Sequence, residues 1–290
     1  RASPSALPPW MPDRTVGEAI REAAERLSVT SDTARLDAEV LMAHALSCSR
    51  SAMLLSRMRD AAPDGFALLV DRRAEHEPVA YITGHQEFFG MPFAVGPEVL
   101  IPRGDSEVLV EAALAARPDA RRVLDCGTGS GALLLAVLAN LPDATGVGID
   151  SSPGARTVAA ANAQALGLAN RARIAAADWH NPGWDEPLGG PFDLVLANPP
   201  YVETTVALDR SVAAFEPASA LYAGEEGLDD YRVLVPQLPR LLAPGGVALV
   251  EIGYRQAESV AAIGQEAGLS SRLHRDLGNR PRVLEFSTIA

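Results

Sequence analysis

The chain contains no lysine: every one of its 25 basic side chains is arginine. Schiff-base chemistry, lysine-held pyridoxal phosphate and a Walker-type phosphate loop each need a lysine amine, so all three are excluded. Cysteine is almost as scarce. Cys48 and Cys126 are too few for a disulfide framework, and Cys126 falls within an apolar strand pattern. No Cys/His spacing suits a metal, and a reduced, cytoplasmic setting is expected. No apolar run approaches the ~20 residues of a membrane span and no signal pattern opens the chain, so no membrane partner is expected. Positive charge is lacking too. The net charge of -12 argues against direct binding of nucleic acid, because phosphate neutralisation needs a basic stripe.

The acidity is uneven. Residues 1–85 hold 10 arginines against 12 acids, and the remainder 15 against 25. Within that remainder Glu225, Glu226, Asp229 and Asp230 form a cluster able to attract a basic partner. With 48% hydrophobic residues, 290 residues suffice for two domains.

Residues 1–12 are proline-rich and aperiodic, and read as a frayed or appended tail. Residues 13–78 read as a small all-helical domain. Thr15-Val16-Gly17-Glu18 is a capping box, followed by the stripe Val16, Ile20, Ala23, Ala24 and Leu27. A second helix is expected to be capped by Ser31 or Asp32, and shorter helices to lie near 51–58 and 64–77. Residues 79–104 read as a hairpin linker, with Glu87-Phe88-Phe89 and Phe93-Ala94-Val95 flanking a turn at Gly90-Met91-Pro92. From 105 to 290 the pattern alternates. Asp105 or Ser106 caps a helix, strands fall at 122–126, 145–150, 172–176, 192–197, 246–252 and 282–287, and helices at 131–140, 153–166, 229–242 and 256–267. A further strand is placed near 270–275. That is an α/β, doubly wound sheet.

Two motifs carry chemistry. The first strand ends in Asp125-Cys126-Gly127-Thr128-Gly129-Ser130-Gly131. Its glycines let backbone N–H groups approach a ligand at a helix N-terminus, but the spacing is G-x-G-x-G and a carboxylate precedes it. A pyrophosphate gains nothing from that carboxylate, whereas a ligand with an ammonium and a sulfonium does. Asp150, ending the next strand, is placed to hold ribose hydroxyls, as dehydrogenases also arrange. The second motif is Asn198-Pro199-Pro200-Tyr201, after the apolar run 192–197. Neither proline has an N–H, and the strand must stop there. The corner offers an Asn oxygen, the Pro199 carbonyl and an aromatic ring, which suit a planar group bearing an NH2.

With both motifs in hand, the chain resembles the HemK/PrmC family of glutamine-N5 protein methyltransferases. The resemblance rests on Gly84-His85-Gln86-Glu87-Phe88-Phe89-Gly90, Val99-Leu100-Ile101-Pro102-Arg103, the glycine loop, Asp150, Asp178-Trp179, Asn198–Tyr201, Phe215-Glu216-Pro217, Asp230-Tyr231-Arg232 and Glu251-Ile252-Gly253. It implies a Rossmann-like S-adenosylmethionine-dependent methyltransferase domain behind a helical substrate-recognition domain. S-adenosyl-L-methionine, leaving as S-adenosyl-L-homocysteine, is expected against Asp125, Gly127, Thr128, Gly129, Ser130 and Gly131. Asp150 is expected on the ribose, Asp178 and Trp179 at the adenine, and Asn198 close by. Asn198, Pro199, Pro200 and Tyr201 are expected to hold the substrate glutamine. The expected substrate is the Gly-Gly-Gln loop of class I peptide chain release factors, and the expected state a monomer.

The family usually reads Pro-Arg-Pro-Asp-Thr-Glu where this chain reads Pro102-Arg103-Gly104-Asp105-Ser106-Glu107. Serine keeps the hydroxyl, and Asp105-Ser106-Glu107 favours the release-factor branch over relatives that modify a ribosomal protein. His180, His274 and the other histidines read as surface or structural. A nucleic-acid adenine-N6 methyltransferase is the main alternative, since adenine also presents a planar NH2, and a non-enzymatic module binding the same cofactor is a third reading.

Overall fold

The computed structural model describes residues 14–289, so the tail expected over 1–12 lies outside the described residues. The chain divides into two compact units, one running to Gly84 and including Leu208–Phe215, the other holding the rest.

In the first unit, α1 (Val16–Leu27) opens on the expected capping box. Thr15 Oγ1 accepts from the Glu18 amide at 3.3 Å while the Glu18 carboxylate accepts from the Thr15 amide at 2.9 Å. Val16, Ala19, Ile20, Ala23 and Leu27 are buried. They pack with residues of α2 (Ala34–Ala45), α3 (Arg50–Ser56), α4 (Phe66–Ala74) and α5 (Val79–Thr83) around Met42, Met53 and Phe66. The second helix is not capped by Ser31 or Asp32. Its N-cap is Thr33, whose side chain makes no cap bond, and the Ser31 and Thr33 hydroxyls instead donate to buried Asp37, which Arg73 also reaches. A buried carboxylate costs far more unpartnered than an exposed helix end. Beyond Pro78 the unit continues through α5 to Gly84, where φ of +79° ends the helix.

The second unit begins with a hairpin, β1 (His85–Phe88) and β2 (Met91–Ala94). Its two-residue turn is Phe89-Gly90, both with positive φ, so Met91 and Pro92 belong to the strand rather than to the expected turn. Phe88 and Phe93 meet edge to face and sink into the sheet's core.

After α6 (Glu107–Ala116) the strands and helices alternate: β3 (Arg122–Cys126), α7 (Ala132–Asn140), β4 (Thr145–Asp150), α8 (Pro153–Ala165), β5 (Ala172–Ala176), β6 (Phe192–Ala197), α9 (Arg210–Phe215), α10 (Asp229–Leu234), α11 (Leu238–Leu241), β7 (Leu242–Glu251), α12 (Ala257–Glu266), β8 (Leu269–Arg275) and β9 (Pro281–Thr288). The expected helix over 229–242 is broken into α10, a 3₁₀ turn and α11, with Pro236 in the 3₁₀ turn and Pro239 in the first turn of α11. Neither Asp105 nor Ser106 caps α6 through its side chain. A 3₁₀ turn at Gly104–Ser106 leads in, and both side chains point elsewhere.

The sheet runs β5-β4-β3-β6-β7-β9-β8, with β9 antiparallel to both neighbours and the others parallel. Cys126 of β3 pairs with Ile149 of β4 and Ala197 of β6. That register brings the glycine loop, Asp150 and Asn198 to one carboxyl edge, at the point where strand order reverses, which is where open α/β sheets bind ligands.

Candidate active site

A cavity of about 440 Å³ opens at that edge. Gly127, Thr128, Gly129, Ser130, Asp150, Asp178, Trp179, Asn198 and Pro200 line it, with the segment from Pro97 to Arg103 as the opposite wall. Asp125, Gly131, Pro199 and Tyr201, all expected at the site, are not among the lining residues.

The loop is tied down from both sides. The Gly127 and Thr128 amides donate to the Ile149 carbonyl at 2.9 and 2.8 Å, and the Gly129 amide to Asp150 Oδ2 at 3.0 Å. Asp150 Oδ1 accepts from the Ser152 amide at 2.9 Å, so this carboxylate is fixed before any ligand arrives. Gly127 has φ of +75°, and a Cβ there would stand 3.1 Å from the Trp179 ring. Only glycine lets loop and indole approach this closely.

Asp125 sits under the loop rather than on the cavity wall. It is 1% exposed, its Oδ2 accepts from Thr128 Oγ1 at 2.6 Å, and Oδ1 has no partner. Burial pushes its pKa up to about 7, with the Asp150 charge adding to the effect. It braces the loop through Thr128. Asn162, which sequence reading overlooked, links loop to hairpin: its amide donates to the carbonyls of Ser130 and Ala94, and its oxygen accepts from the Ala94 amide at 2.8 Å. A polar residue at a buried position of α8 is the signal that could have exposed it.

At the other end, Trp179 Nε1 donates to Asp230 Oδ1 at 3.2 Å and the Trp179 carbonyl accepts from Gln237. His180 lies at the surface as expected. It lines the cavity, and its Nδ1 lies 2.9 Å from Asp178 Oδ1. Burial alone would raise the Asp178 pKa, but the His180 amide and ring hold it below the usual range. Asp230, expected in an acidic surface cluster, is buried beside the cavity, and burial raises its pKa. His274 is structural, its ring held by Glu285 at 2.8 Å.

The corner after β6 has a different character. Asn198 is half-buried, and its side chain makes no hydrogen bond among the described residues. The carbonyl of Pro199 likewise accepts none there. Asn198 lines the cavity and is free to bind a guest, whereas Pro199 is buried. Gln256, also missed in the sequence, fixes the chain beyond them: its Nε2 donates to the Tyr201 carbonyl at 3.1 Å while its Oε1 accepts from the Gly253 amide. Glu216, 6% exposed, accepts from the Ile101 amide at 3.1 Å and from Arg103, which joins the stretches 99–103 and 215–217 in holding the cavity's wall.

Comparison with known proteins follows the same division. A model of the PrmC N-terminal domain matches residues 18–84, and a methyltransferase-domain model matches 118–274. A release factor glutamine methyltransferase from Rhodospirillum rubrum is 43% identical over 277 residues, spanning 93% of this chain and 84% of its own length. One from Salmonella typhimurium is 37% identical, spanning 91% and 95% respectively. Among solved structures, the hMettl16 catalytic domain in complex with a MAT2A 3'UTR hairpin superposes with a TM-score of 0.54 at 15% identity, covering 76% of this chain and 83% of its own, a likeness of fold alone.

Proposed function

The chain belongs to the release factor glutamine methyltransferase family, and from that premise and the Asn198 corner we propose how it acts: it transfers a methyl group from S-adenosyl-L-methionine to the side-chain amide nitrogen, N5, of a glutamine in class I peptide chain release factors. The observation that carries this reading is the Asn198 side chain, half-buried at the cavity and lacking any protein partner, followed by two prolines. A buried-edge amide left unpaired is costly unless a guest completes it.

The cavity lies within the range of small-molecule sites. Gly127 to Ser130 would hold the methionine portion of the cofactor, Asp150 the ribose hydroxyls, and Asp178 with Trp179 the adenine. When bound, the cofactor supplies a methyl carbon made electrophilic by its sulfonium.

The chain's own residues do the rest. A glutamine amide is a poor nucleophile because its nitrogen lone pair is delocalised into the carbonyl. Asn198 Oδ1 and the Pro199 carbonyl each accept one amide hydrogen, which draws both out of the amide plane and localises the pair. The corner's rigidity then keeps the nitrogen aimed along the methyl–sulfur axis. No side chain forms a covalent intermediate, and the product sheds its extra proton readily. The protein works as a cytoplasmic monomer.

The test is incubation with radiolabelled S-adenosyl-L-methionine and either a purified release factor or duplex DNA. Label should enter the release factor and be lost when the glutamine of its Gly-Gly-Gln loop is replaced. Label in DNA alone would overturn the reading in favour of adenine, which the net charge of -12 already disfavours.

A further inference from the structure

Four buried side-chain atoms lack hydrogen-bond partners among the described residues, and three of them, Ser106 Oγ, Glu251 Oε2 and Arg282 Nε, belong to one cluster behind the catalytic corner. Glu251 ends β7 and is 1% exposed, and its Oε1 accepts from the Tyr201 hydroxyl at 3.5 Å. Arg282, on β9, donates to Asp105 at 2.8 Å and to Asp276 at 3.0 Å. The Ser106 hydroxyl lies beside the Glu251 carboxyl and favours its ionised form. Tyr231, buried alongside, donates to the Glu251 backbone carbonyl at 2.8 Å, leaving the side chain to Tyr201.

Polar side chains gathered this closely in a core form one electrostatic unit. The cluster also absorbs two sequence features that methyl transfer leaves unexplained, Asp105-Ser106 and Glu251. We propose that Glu251 is a positioning residue for methyl transfer: its buried carboxyl, beside the Arg282 charge and the Asp105-Ser106 turn, captures the Tyr201 hydroxyl and so fixes the last residue of the Asn198 corner from behind. This rests on the glutamine-methylating reading above.

The capture is strongest when Glu251 is ionised. A carboxylate accepts the tyrosine O–H in a charge-assisted bond, shorter and stronger than that to a neutral acid. Burial raises the Glu251 pKa to about 7, with Asp105 opposing ionisation and Arg282 favouring it. Burial likewise keeps the Tyr201 hydroxyl protonated, and Arg103 and Arg282 only partly oppose this. The groups facing the carboxyl are thus Tyr201, Ser106, Arg282 and Asp105, with Asp276 reached through Arg282. Glu251 changes charge while Tyr201 does not.

The experiment measures kcat and KM for a release factor between pH 6 and 8.5 in the parent enzyme, Glu251→Gln, Tyr201→Phe and the double variant, with cofactor binding and thermal midpoint measured beside each. In the parent, kcat should climb about five- to tenfold through pH 7. Glu251→Gln keeps an acceptor oxygen but should flatten that rise at the lower level, with KM and cofactor affinity nearly unchanged. The double variant should be no slower than Tyr201→Phe alone, because both remove one interaction. A pH rise that persists in Glu251→Gln, or additive losses in the double variant, would overturn the inference while leaving glutamine methylation standing. If the parent enzyme methylates no glutamine, the functional reading itself falls.

Discussion

Asn198 concentrates the chemistry into one side chain. Its oxygen helps only as the amide distorts, so its contribution grows toward the transition state rather than appearing as ground-state affinity. Asn198→Ala should lower single-turnover methyl transfer by ~10²–10³, the scale of one preorganised polar contact, with a smaller loss of cofactor affinity. Asn198→Asp keeps an acceptor but sets a negative charge near the sulfonium. It should hold or tighten cofactor binding and still fail in the chemical step, because it stabilises the charge that transfer must discharge. A loss confined to cofactor binding in both variants, with the chemical step intact, would make Asn198 a turn residue only.

Elements position these side chains, and at this scale sequence and structure part company in an instructive way. The glycine loop and the Asn198 corner are legible because each is a local motif whose backbone demands, glycines at close approach and two prolines ending a strand, are written in consecutive residues. Gln256, Asn162 and Glu216 are not legible, since each acts on backbone far away in the chain and nothing near it in sequence announces the partner. Asp125 misleads for a related reason: its place before the loop is visible, but which way its carboxyl turns depends on Thr128 and the packing beneath. Within the acidic run at 225–230, Glu226 and Asp229 share Arg232 at the exposed surface while Asp230 turns inward to Trp179. The connection after Tyr201 is divided between the two units. Its middle, Leu208–Phe215, belongs to the helical unit, while Pro217, Ser219 and Ala220 line the cavity. Glu216, in the bend just after α9, anchors that connection to Ile101 and Arg103. Glu216→Ala leaves a buried amide without its acceptor, which costs about 1–3 kcal/mol. For a chain of this size the thermal midpoint should fall by several degrees, and cofactor affinity should weaken with it as the Pro97–Arg103 wall loosens. Unchanged cofactor affinity in calorimetry, despite a lowered midpoint, would mean that the anchor serves stability alone.

Across the whole molecule, two sets of carboxyls pull stability in opposite directions with pH. Asp185, held by Arg240, and Glu39, where Arg35 and Arg50 outweigh burial, have folded pKa values below their ordinary ones. Such groups stabilise the fold above pH 4 and withdraw that support as acid protonates them. Asp125 and Glu251 behave inversely. Burial raises both to about 7, so the folded chain keeps two protons that the unfolded chain releases near pH 4. Their stabilisation is complete below pH 4 and is lost as pH rises through 7, on the order of 3 kcal/mol for each group. The ligand-free protein should therefore be most stable near pH 5, and its denaturation midpoint should decline toward pH 8. Glu251→Gln removes one of these protons from the balance. At pH 8 it should unfold at higher denaturant than the parent, by about 1–3 kcal/mol, while methylating several-fold more slowly. Below pH 4 that stability advantage should vanish, since the parent carboxyl is then neutral in the unfolded chain as well. Opposite signs for stability and rate at pH 8, converging at low pH, are what a carboxyl ionised for positioning and buried at a cost requires. A variant that loses both together at every pH would instead mark Glu251 as an ordinary packing residue.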